Sequence, residues 1–203
     1  MGNEVKCVAR VPGKRWQGKA LLETDQLIFR GTECRLKILF GEMRRVTAAD
    51  GELHIRTKDG TTVFEVGQVA EKWRDKILHP KSRVEKLGVK AGTRVLLLGR
   101  AETAFVAELR KSGADIESGP GSREIQLVFL FVEDERGLDG VPGAAKRLAG
   151  AAGLWIAYPK GRKEITEVEV INAGRKVGLK DVKVVGFSPT HTALKFVIPV
   201  DQR

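Results

Sequence analysis

The apolar residues of the 203-residue chain follow one pattern before residue 80 and a different one after it. From Val5 to Val66, short runs alternate apolar and polar residues and are separated by turn-forming residues, which is typical of antiparallel strands with one buried face. After Pro80 the apolar residues form near-continuous runs, which are typical of parallel strands covered on both faces. The sequence therefore predicts two domains, residues 1–80 and residues 81–203.

Seven strands and one helix are expected in the first domain. Asp-Gly pairs between the last three strands supply the positive φ angles that tight hairpins need. Val69, Trp73 and Ile77 then recur every four residues, which predicts a helix over 68–78 with one apolar face against the strands. The strands are predicted at 5–11, 18–23, 26–30, 35–39, 43–48, 52–57 and 62–66. This order predicts an all-β barrel or sandwich with a C-terminal helix.

Seven strands followed by one helix with a central Trp73 resemble the pleckstrin-homology-like and GRAM-like superfold. The resemblance implies a lipid- or peptide-binding module with basic residues near the first strand turn. Lys14, Arg15 and Lys19 lie near this turn, and Trp16 between them suits a ligand or membrane interface. The alternative is a solvated hairpin edge, because edge strands carry lysine to block aggregation.

The second domain is expected to contain an α/β sheet. Pro80 ends the preceding helix, because proline disfavours helical geometry in the residue before it. Parallel strands are predicted at 95–98, 115–117, 126–132 and 154–158, and helices at 102–112, 138–151 and 166–175. The last two strands, 181–186 and 193–199, form an antiparallel hairpin. A parallel sheet that ends in such a hairpin resembles the class I methyltransferase variant of the Rossmann fold.

Four sequence blocks cover residues 86–197 and carry a family resemblance. They are KLGVKAG at 86–92, GLWIAYPK at 153–160, GLKDVKV at 178–184 and ALKFV at 193–197. The combination is similar to a bacterial family of domains of unknown function. The resemblance implies a Rossmann-like, methyltransferase-like fold and no specific activity, because that family has no established function.

The turn after the first strand of this sheet decides whether a nucleotide can bind in the usual way. A Rossmann cofactor loop needs successive glycines so that backbone N–H groups approach the ligand, but this turn contains only Gly99. This counts against NAD, ATP and ordinary S-adenosylmethionine (SAM), so no cofactor is predicted. Arg100, Glu102 and Asp134 lie at the same edge and could converge on one cleft. Glu117 ends the second strand and could accept ribose hydroxyls, the alternative being a solvent-exposed carboxylate.

A basic loop follows the third long strand, at the edge where open α/β sheets place their ligands. Lys160, Arg162 and Lys163 surround a glycine there and could hold a phosphate or a carboxylate. The alternative is a solvated loop before Thr166, which caps the next helix. This loop is the strongest single site candidate in the sequence.

Neither a catalytic residue nor a metal site is predicted. His191 is the only histidine of the second domain, and no carboxylate or nucleophile partner can be named for it, so a loop histidine is expected. Ser188 lacks the G-x-S-x-G setting of a hydrolase nucleophile. Cys7 and Cys34 have no Cys or His at metal-ligand spacing and are expected to be packing residues in a reducing compartment. A disulfide between facing strands is the alternative.

Charge and hydropathy limit the expected partners. The 36 Lys and Arg against 26 Asp and Glu give a net charge of +10, which both halves share, and this favours a mixed-charge surface. No apolar run reaches the roughly 20 residues of a membrane span. The N-terminus lacks the pattern of a secretory signal, so a cytoplasmic location is expected.

These features predict a non-catalytic binding or regulatory protein whose partner is a small anionic ligand or another protein. One alternative is a divergent SAM-dependent methyltransferase, which would bind its cofactor around Gly99, Glu117 and Asp134. A second alternative is electrostatic association with nucleic acid or anionic lipid, through the basic residues near the first turn or through those of the 160–163 loop.

Overall fold

The chain forms two compact units, each with its own sheet and its own apolar packing. The computed structural model describes residues 3–117 and 124–203. The units are Met1–Lys81 and Ser82–Arg203. Across the described ranges, no helix combines the length and the apolar character that crossing a bilayer requires.

One antiparallel sheet of seven strands makes up most of the first unit. The strands are β1 (Asn3–Val11), β2 (Lys14–Leu22), β3 (Gln26–Gly31), β4 (Arg35–Leu39), β5 (Arg45–Ala49), β6 (Glu52–Thr57) and β7 (Gly60–Glu65). Their order in the sheet is β4-β3-β2-β1-β7-β6-β5. The β5–β6 hairpin turns at Asp50 and Gly51, whose φ angles of 52° and 78° are both positive, as a type I′ turn requires. The seven strands predicted from the alternation are all present.

A helix after the last strand closes the core of the first unit. A 3-10 turn, Gly67–Val69, leads into α1 (Ala70–Leu78). Trp73 and Ile77 are buried in one cluster with Phe29 and Phe64 of the sheet. The predicted apolar face of this helix is confirmed.

The second unit is built on a mixed sheet of six strands. The strands are β8 (Arg94–Leu98), β9 (Asp115–Glu117), β10 (Leu127–Phe131), β11 (Gly153–Pro159), β12 (Lys180–Gly186) and β13 (His191–Val197). Their order is β12-β13-β11-β10-β8-β9. The pairs among β9, β8, β10 and β11 are parallel, and β13 runs antiparallel to both β11 and β12. The predicted parallel sheet with a terminal antiparallel hairpin is present.

Helices cover both faces of this second sheet. They are α2 (Arg83–Lys86), α3 (Thr103–Lys111), α4 (Val141–Ala145) and α5 (Glu167–Lys176). On one face Phe105 of α3 packs with Phe129 and Trp155 of the sheet, and on the other Val170 of α5 packs with Ile156. All seven residues of β11 are buried, as a central strand covered on both faces requires. The second unit therefore has an α/β, Rossmann-like fold.

The helix predicted at 138–151 is much shorter in the structure. The chain forms a 3-10 helix, Glu135–Gly140, and then α4, which has only five residues. Pro142 suits the first turn of α4, where its missing N–H is not needed. Beyond α4, Gly150 takes a φ of 53°, which a continuing helix could not contain. The apolar spacing alone therefore overestimated the length of this helix.

Candidate functional site

The candidate site lies where the strand order of the second sheet reverses. From β8 the chain passes to β9 on one side, and it then returns to β10 on the other side of β8. When the connections from the carboxyl ends of two neighbouring strands run in opposite directions, a crevice opens between them. Open α/β sheets bind their ligands in this crevice. By this rule the ligand site of this chain is expected between the residues that follow β8 and those that follow β10.

Gly99 brings the loop after β8 against the end of β10. Its φ is +80°, and a Cβ at this position would lie 2.4 Å from the carbonyl oxygen of Phe131. Only glycine can adopt this positive φ without strain and also avoid the contact with the carbonyl oxygen. Packing therefore requires this glycine even without a ligand, while Arg100, the next residue, is exposed.

A largely buried guanidinium holds Glu102, the residue that precedes α3. Arg83 donates to Glu102 at 2.8 Å and makes two hydrogen bonds of 2.9 Å to Glu108. Its guanidinium carbon lies 5.1 Å from the ring centre of Phe105 and 4.7 Å from that of Phe187. The side chain is only 15% exposed. Arg83 is thus both paired and stacked, which fixes the carboxylate that it contacts.

The pKa of the Glu102 carboxyl lies below its usual range. Burial would raise this pKa, but the hydrogen bonds from Arg83 and Ser188, together with the charges of Arg83 and His191, outweigh burial. Glu102 is therefore ionised at neutral pH, and an ionised carboxylate can only accept hydrogen bonds.

We expect Glu102→Gln to weaken the dependence of stability on acid pH. Because the pKa of Glu102 is lowered by folding, its contribution is fully present above the unfolded value of about 4.3 and is lost as pH falls through the folded pKa. The difference in unfolding free energy between wild type and variant should therefore shrink as pH falls from neutrality into this range. Urea unfolding of both proteins at several pH values measures this difference in unfolding free energy. Two curves that stay parallel at acid pH would contradict the assignment.

His191 lies at the same edge, between two carboxylates. It is the first residue of β13 and pairs with Pro159 at the end of β11. Its Nδ1 lies 2.9 Å from Oγ1 of Thr190 and 3.8 Å from Oε1 of Glu102, and its Nε2 lies 3.7 Å from Oε1 of Glu133. The side chain is 20% exposed. The structure differs from the predicted loop histidine in that His191 opens β13, and strand pairing brings Glu102 and Glu133 near its ring.

The predicted basic loop is fastened to the hairpin that carries His191. The ammonium of Lys160 donates to the carbonyl of Ser188 at 2.7 Å, and its backbone N–H donates to the carbonyl of Thr190 at 2.8 Å. Arg162 and Lys163 are exposed on the same loop. Lys160 therefore holds the hairpin, while the other two cations are left to solvent or to a ligand.

Two predicted carboxylates lie elsewhere around the crevice. Asp134 accepts a hydrogen bond of 3.1 Å from the N–H of Gly137 and caps the 3-10 helix that follows β10. Glu117 is the half-buried last residue of β9, in register with Leu96 of β8. Asp134 thus has a local structural role, and Glu117 ends the strand beside β8.

The basic residues predicted in the first unit lie on β2. Arg15 and Lys19 each pair with a glutamate of the same unit, at 3.3 and 2.9 Å. Trp16 is half-buried against the core, and with the exposed Lys14 it lines a groove of about 1010 Å³. Two of the three predicted cations are therefore already paired with carboxylates, which reduces the charge that they offer to an anionic surface.

Cysteines and metal ligands complete the inventory of reactive groups. Cys7 and Cys34 are free and half-buried, and burial raises the pKa of the Cys7 thiol. In the part of the chain that the structure describes, no group of three or more His, Cys, Asp or Glu side chains is placed to hold a metal ion.

Sequence reasoning missed several residues that surround His191. Arg83, Glu133 and Thr190 are not singled out from the sequence. The sequence could have indicated these contacts only through the order of the strands. His191 begins the strand that pairs antiparallel with β11, so it lies beside the carboxyl end of β11. Residues that follow the neighbouring parallel strands are therefore expected near its ring. Glu133 lies two residues after the end of β10.

Comparisons with known proteins identify no family but do find similar solved structures. No family model and no curated protein matches the chain. A SAM-dependent methyltransferase from Aquifex aeolicus is 16% identical, with 57% of this chain and 87% of that one covered and a TM-score of 0.44. A TehB-like SAM-dependent methyltransferase from Corynebacterium glutamicum is 14% identical, with coverages of 64% and 96% and a TM-score of 0.42. The N-terminal PH domain of human ARAP2 is 11% identical, with coverages of 60% and 93% and a TM-score of 0.33.

These comparisons correct the predicted function. The prediction of a non-catalytic binding or regulatory module is wrong, because solved structures similar to this chain are described as SAM-dependent methyltransferases.

Proposed function

We propose that the second unit is a divergent SAM-dependent methyltransferase. The observation that carries the proposal is the strand order of its sheet. An antiparallel strand, β13, is inserted between β11 and β12 at one end of a parallel sheet, and the order reverses between β8 and β10. This order resembles that of the class I methyltransferase variant of the Rossmann fold, and open α/β sheets bind their ligands at such a reversal.

The residues around the crevice fit SAM better than a dinucleotide. The usual loop, G-x-G-x-x-G/A, uses its second glycine to let the backbone approach a diphosphate. Here Gly99 and Ala104 agree with the pattern, but Ala101 replaces the second glycine. SAM contains no diphosphate, so this departure counts more against NAD than against SAM.

Two side chains would hold the cofactor in this proposal. Glu117, half-buried at the end of β9, would accept hydrogen bonds from the ribose hydroxyls, as the acidic residue of a Rossmann fold does. Arg100, exposed after Gly99, would pair with the carboxylate of the methionine part. When bound, SAM supplies a methyl group activated by a sulfonium.

Calorimetric titration of the full-length protein tests the proposal. We expect SAM and its demethylated product to bind and NAD and ATP not to bind. A ligand present at 100 times its dissociation constant adds about 2.7 kcal/mol of stability, so a thermal shift should accompany binding. Glu117→Gln should weaken SAM binding by at least about tenfold, because a hydrogen bond to a charged group is lost.

The matched control for this experiment is Asp201→Asn. Asp201 is an exposed carboxylate in the C-terminal 3-10 turn, and its replacement should leave SAM affinity unchanged. A folded wild-type protein that binds neither SAM nor its product at millimolar concentration would overturn the proposal.

We further propose that residues 1–80 form a pleckstrin-homology-like domain and residues 81–203 the methyltransferase domain. Support for the first assignment comes from the seven antiparallel strands in the order β4-β3-β2-β1-β7-β6-β5, followed by a helix whose Trp73 is 1% exposed.

A further inference from the structure

Three residues form a row across neighbouring strands of the second sheet, outside the candidate site. Lys195 of β13 is in register with Trp155 of β11 on one side and with Lys183 of β12 on the other. Residues directly opposite each other in antiparallel strands project from the same face of the sheet. This face is the one that α3 covers, since Trp155 packs there with Phe105. Lys195 therefore stands between an indole ring and a second lysine.

The side chain of Lys195 lies along the sheet. Its ammonium nitrogen is 5.8 Å from the ring centre of Trp155. Its stem crosses Gly153, where an added Cβ would lie 2.6 Å from Cε and 3.4 Å from Nζ of the lysine. The glycine thus leaves the space that the stem occupies, and Lys195 is half-buried. Gly153 begins β11, so this amine lies toward the amino ends of the parallel strands, whereas the candidate site lies at their carboxyl ends.

No negative charge balances the two ammonium groups. Within residues 3–117 and 124–203, neither Lys183 nor Lys195 forms an ion pair with a carboxylate. The ammonium of Lys183 donates to the carbonyl of Lys86 at 2.7 Å, and a lysine ammonium has further N–H donors to offer. Burial lowers the pKa of Lys195, and the charge of Lys183 lowers it further. A larger fraction of Lys195 than of an exposed lysine is therefore present as the unprotonated, nucleophilic amine.

We propose that Lys195 reacts reversibly with CO₂ to form a carbamate and that the ammonium of Lys183 pairs with this carbamate. Before the reaction, two like charges lie side by side on the sheet. After it, the anionic carbamate lies beside a cation, so attraction replaces repulsion. CO₂ is small and uncharged, which suits it to a half-buried amine. The site does not depend on the proposed methyltransferase function.

Atoms and charge balance in this reaction. The ammonium of Lys195 first gives up a proton to water, and the lone pair of Nζ then attacks the carbon of CO₂. A C–N bond forms, and one C–O π bond gives its electron pair to oxygen. Nζ loses a further proton to water, so the side chain changes from a cation to an anion without any oxidation or reduction. The reverse steps release CO₂ when its concentration falls.

Carbon-13 NMR spectra of the full-length protein in ¹³C-labelled bicarbonate test the proposal. At about pH 8 we expect a carbamate signal that Lys195→Arg abolishes, because the guanidinium stays protonated. The α-amino group of the chain, with a pKa of about 7.7–8.0, also reacts with CO₂, so its own carbamate signal should persist in every variant as a reference. Alkylation of the carbamate with a trialkyloxonium reagent, followed by peptide mass spectrometry, locates the modified residue.

Three further variants sharpen the test. Lys183→Met removes the proposed counter-cation and should lower the Lys195 signal by about fivefold, the upper worth of one exposed ion pair. Lys180→Arg is the matched control, because Lys180 is exposed on the same strand and its replacement should leave the signal unchanged. Lys195→Met keeps an unbranched stem over Gly153 without an amine, and it replaces Lys195→Arg if arginine does not fit there. Unchanged backbone amide spectra establish that each variant is folded.

Two results would overturn the proposal. The first is a folded wild-type protein whose carbamate signals all persist in both Lys195→Arg and Lys195→Met. The second is a Lys195 carbamate whose signal is as strong in Lys183→Met as in wild type, because the neighbouring cation would then have no part in it.

Discussion

Replacing Trp155 with alanine should lower the free energy of unfolding of the second unit by about 3–5 kcal/mol. Trp155 lies in the middle of β11 and is 1% exposed, so truncation leaves a cavity where an indole ring was packed. Its Nε1 also donates to the carbonyl of Leu87 at 3.0 Å. The variant would lose both the packing and the partner of a buried carbonyl.

Hydrogen exchange measured on peptides from β10 and β11 reports this loss for the second unit specifically. Tryptophan fluorescence would not, because Trp16 and Trp73 of the first unit would dominate the signal of the variant. Trp155→Phe is the matched control: it keeps most of the ring but not the donor, and it should cost about 1–3 kcal/mol, the penalty for an unpaired buried carbonyl. If the free energy of unfolding of the alanine variant is less than about 1 kcal/mol below that of wild type, the expectation is contradicted, because the surrounding residues must then have filled the cavity.

Gly174→Ala should also destabilise the second unit, by about 1–3 kcal/mol. In an open helix this substitution would stabilise by up to about 1 kcal/mol, because alanine is the better helix former. Here the added Cβ would lie 2.2 Å from a ring carbon of Phe196, and Gly174 is buried against this fully buried ring, so the clash should reverse the sign.

Gly143→Ala provides the matched control for Gly174→Ala. Gly143 is also helical, in α4, but a Cβ there would meet nothing within 4 Å. This variant should therefore be as stable as wild type or more stable by up to about 1 kcal/mol. Chemical unfolding followed by circular dichroism compares the two. Equal effects of the two substitutions would show that Phe196 moves aside at little cost.

Local patterns were enough to predict most of the fold. In the first unit, period-two alternation and turn residues marked all seven strands, because each strand buries one face against a single core. In the second unit, near-continuous apolar runs marked β10 and β11, which lie between two helical layers. Helix α2 is so short that its apolar spacing carries no signal, and it was not predicted.

The surroundings of His191 could not be predicted in the same way, because they depend on contacts between distant parts of the chain. Arg83 meets Phe187 across a sequence separation of 104 residues. Nothing near Arg83 in sequence marks it as different from the other basic residues. The histidine could be named from sequence, but its partners required the order of the strands and the position of the hairpin.

The position of Arg83 has a practical consequence for any attempt to divide the protein. The second unit begins at Ser82, whose hydroxyl caps α2, and the guanidinium that anchors Glu102 belongs to the very next residue. A fragment cut even two residues later would retain the whole sheet and yet lack the cation that pairs with Glu102. Loss of function in such a fragment would then say nothing about the contribution of the first 81 residues.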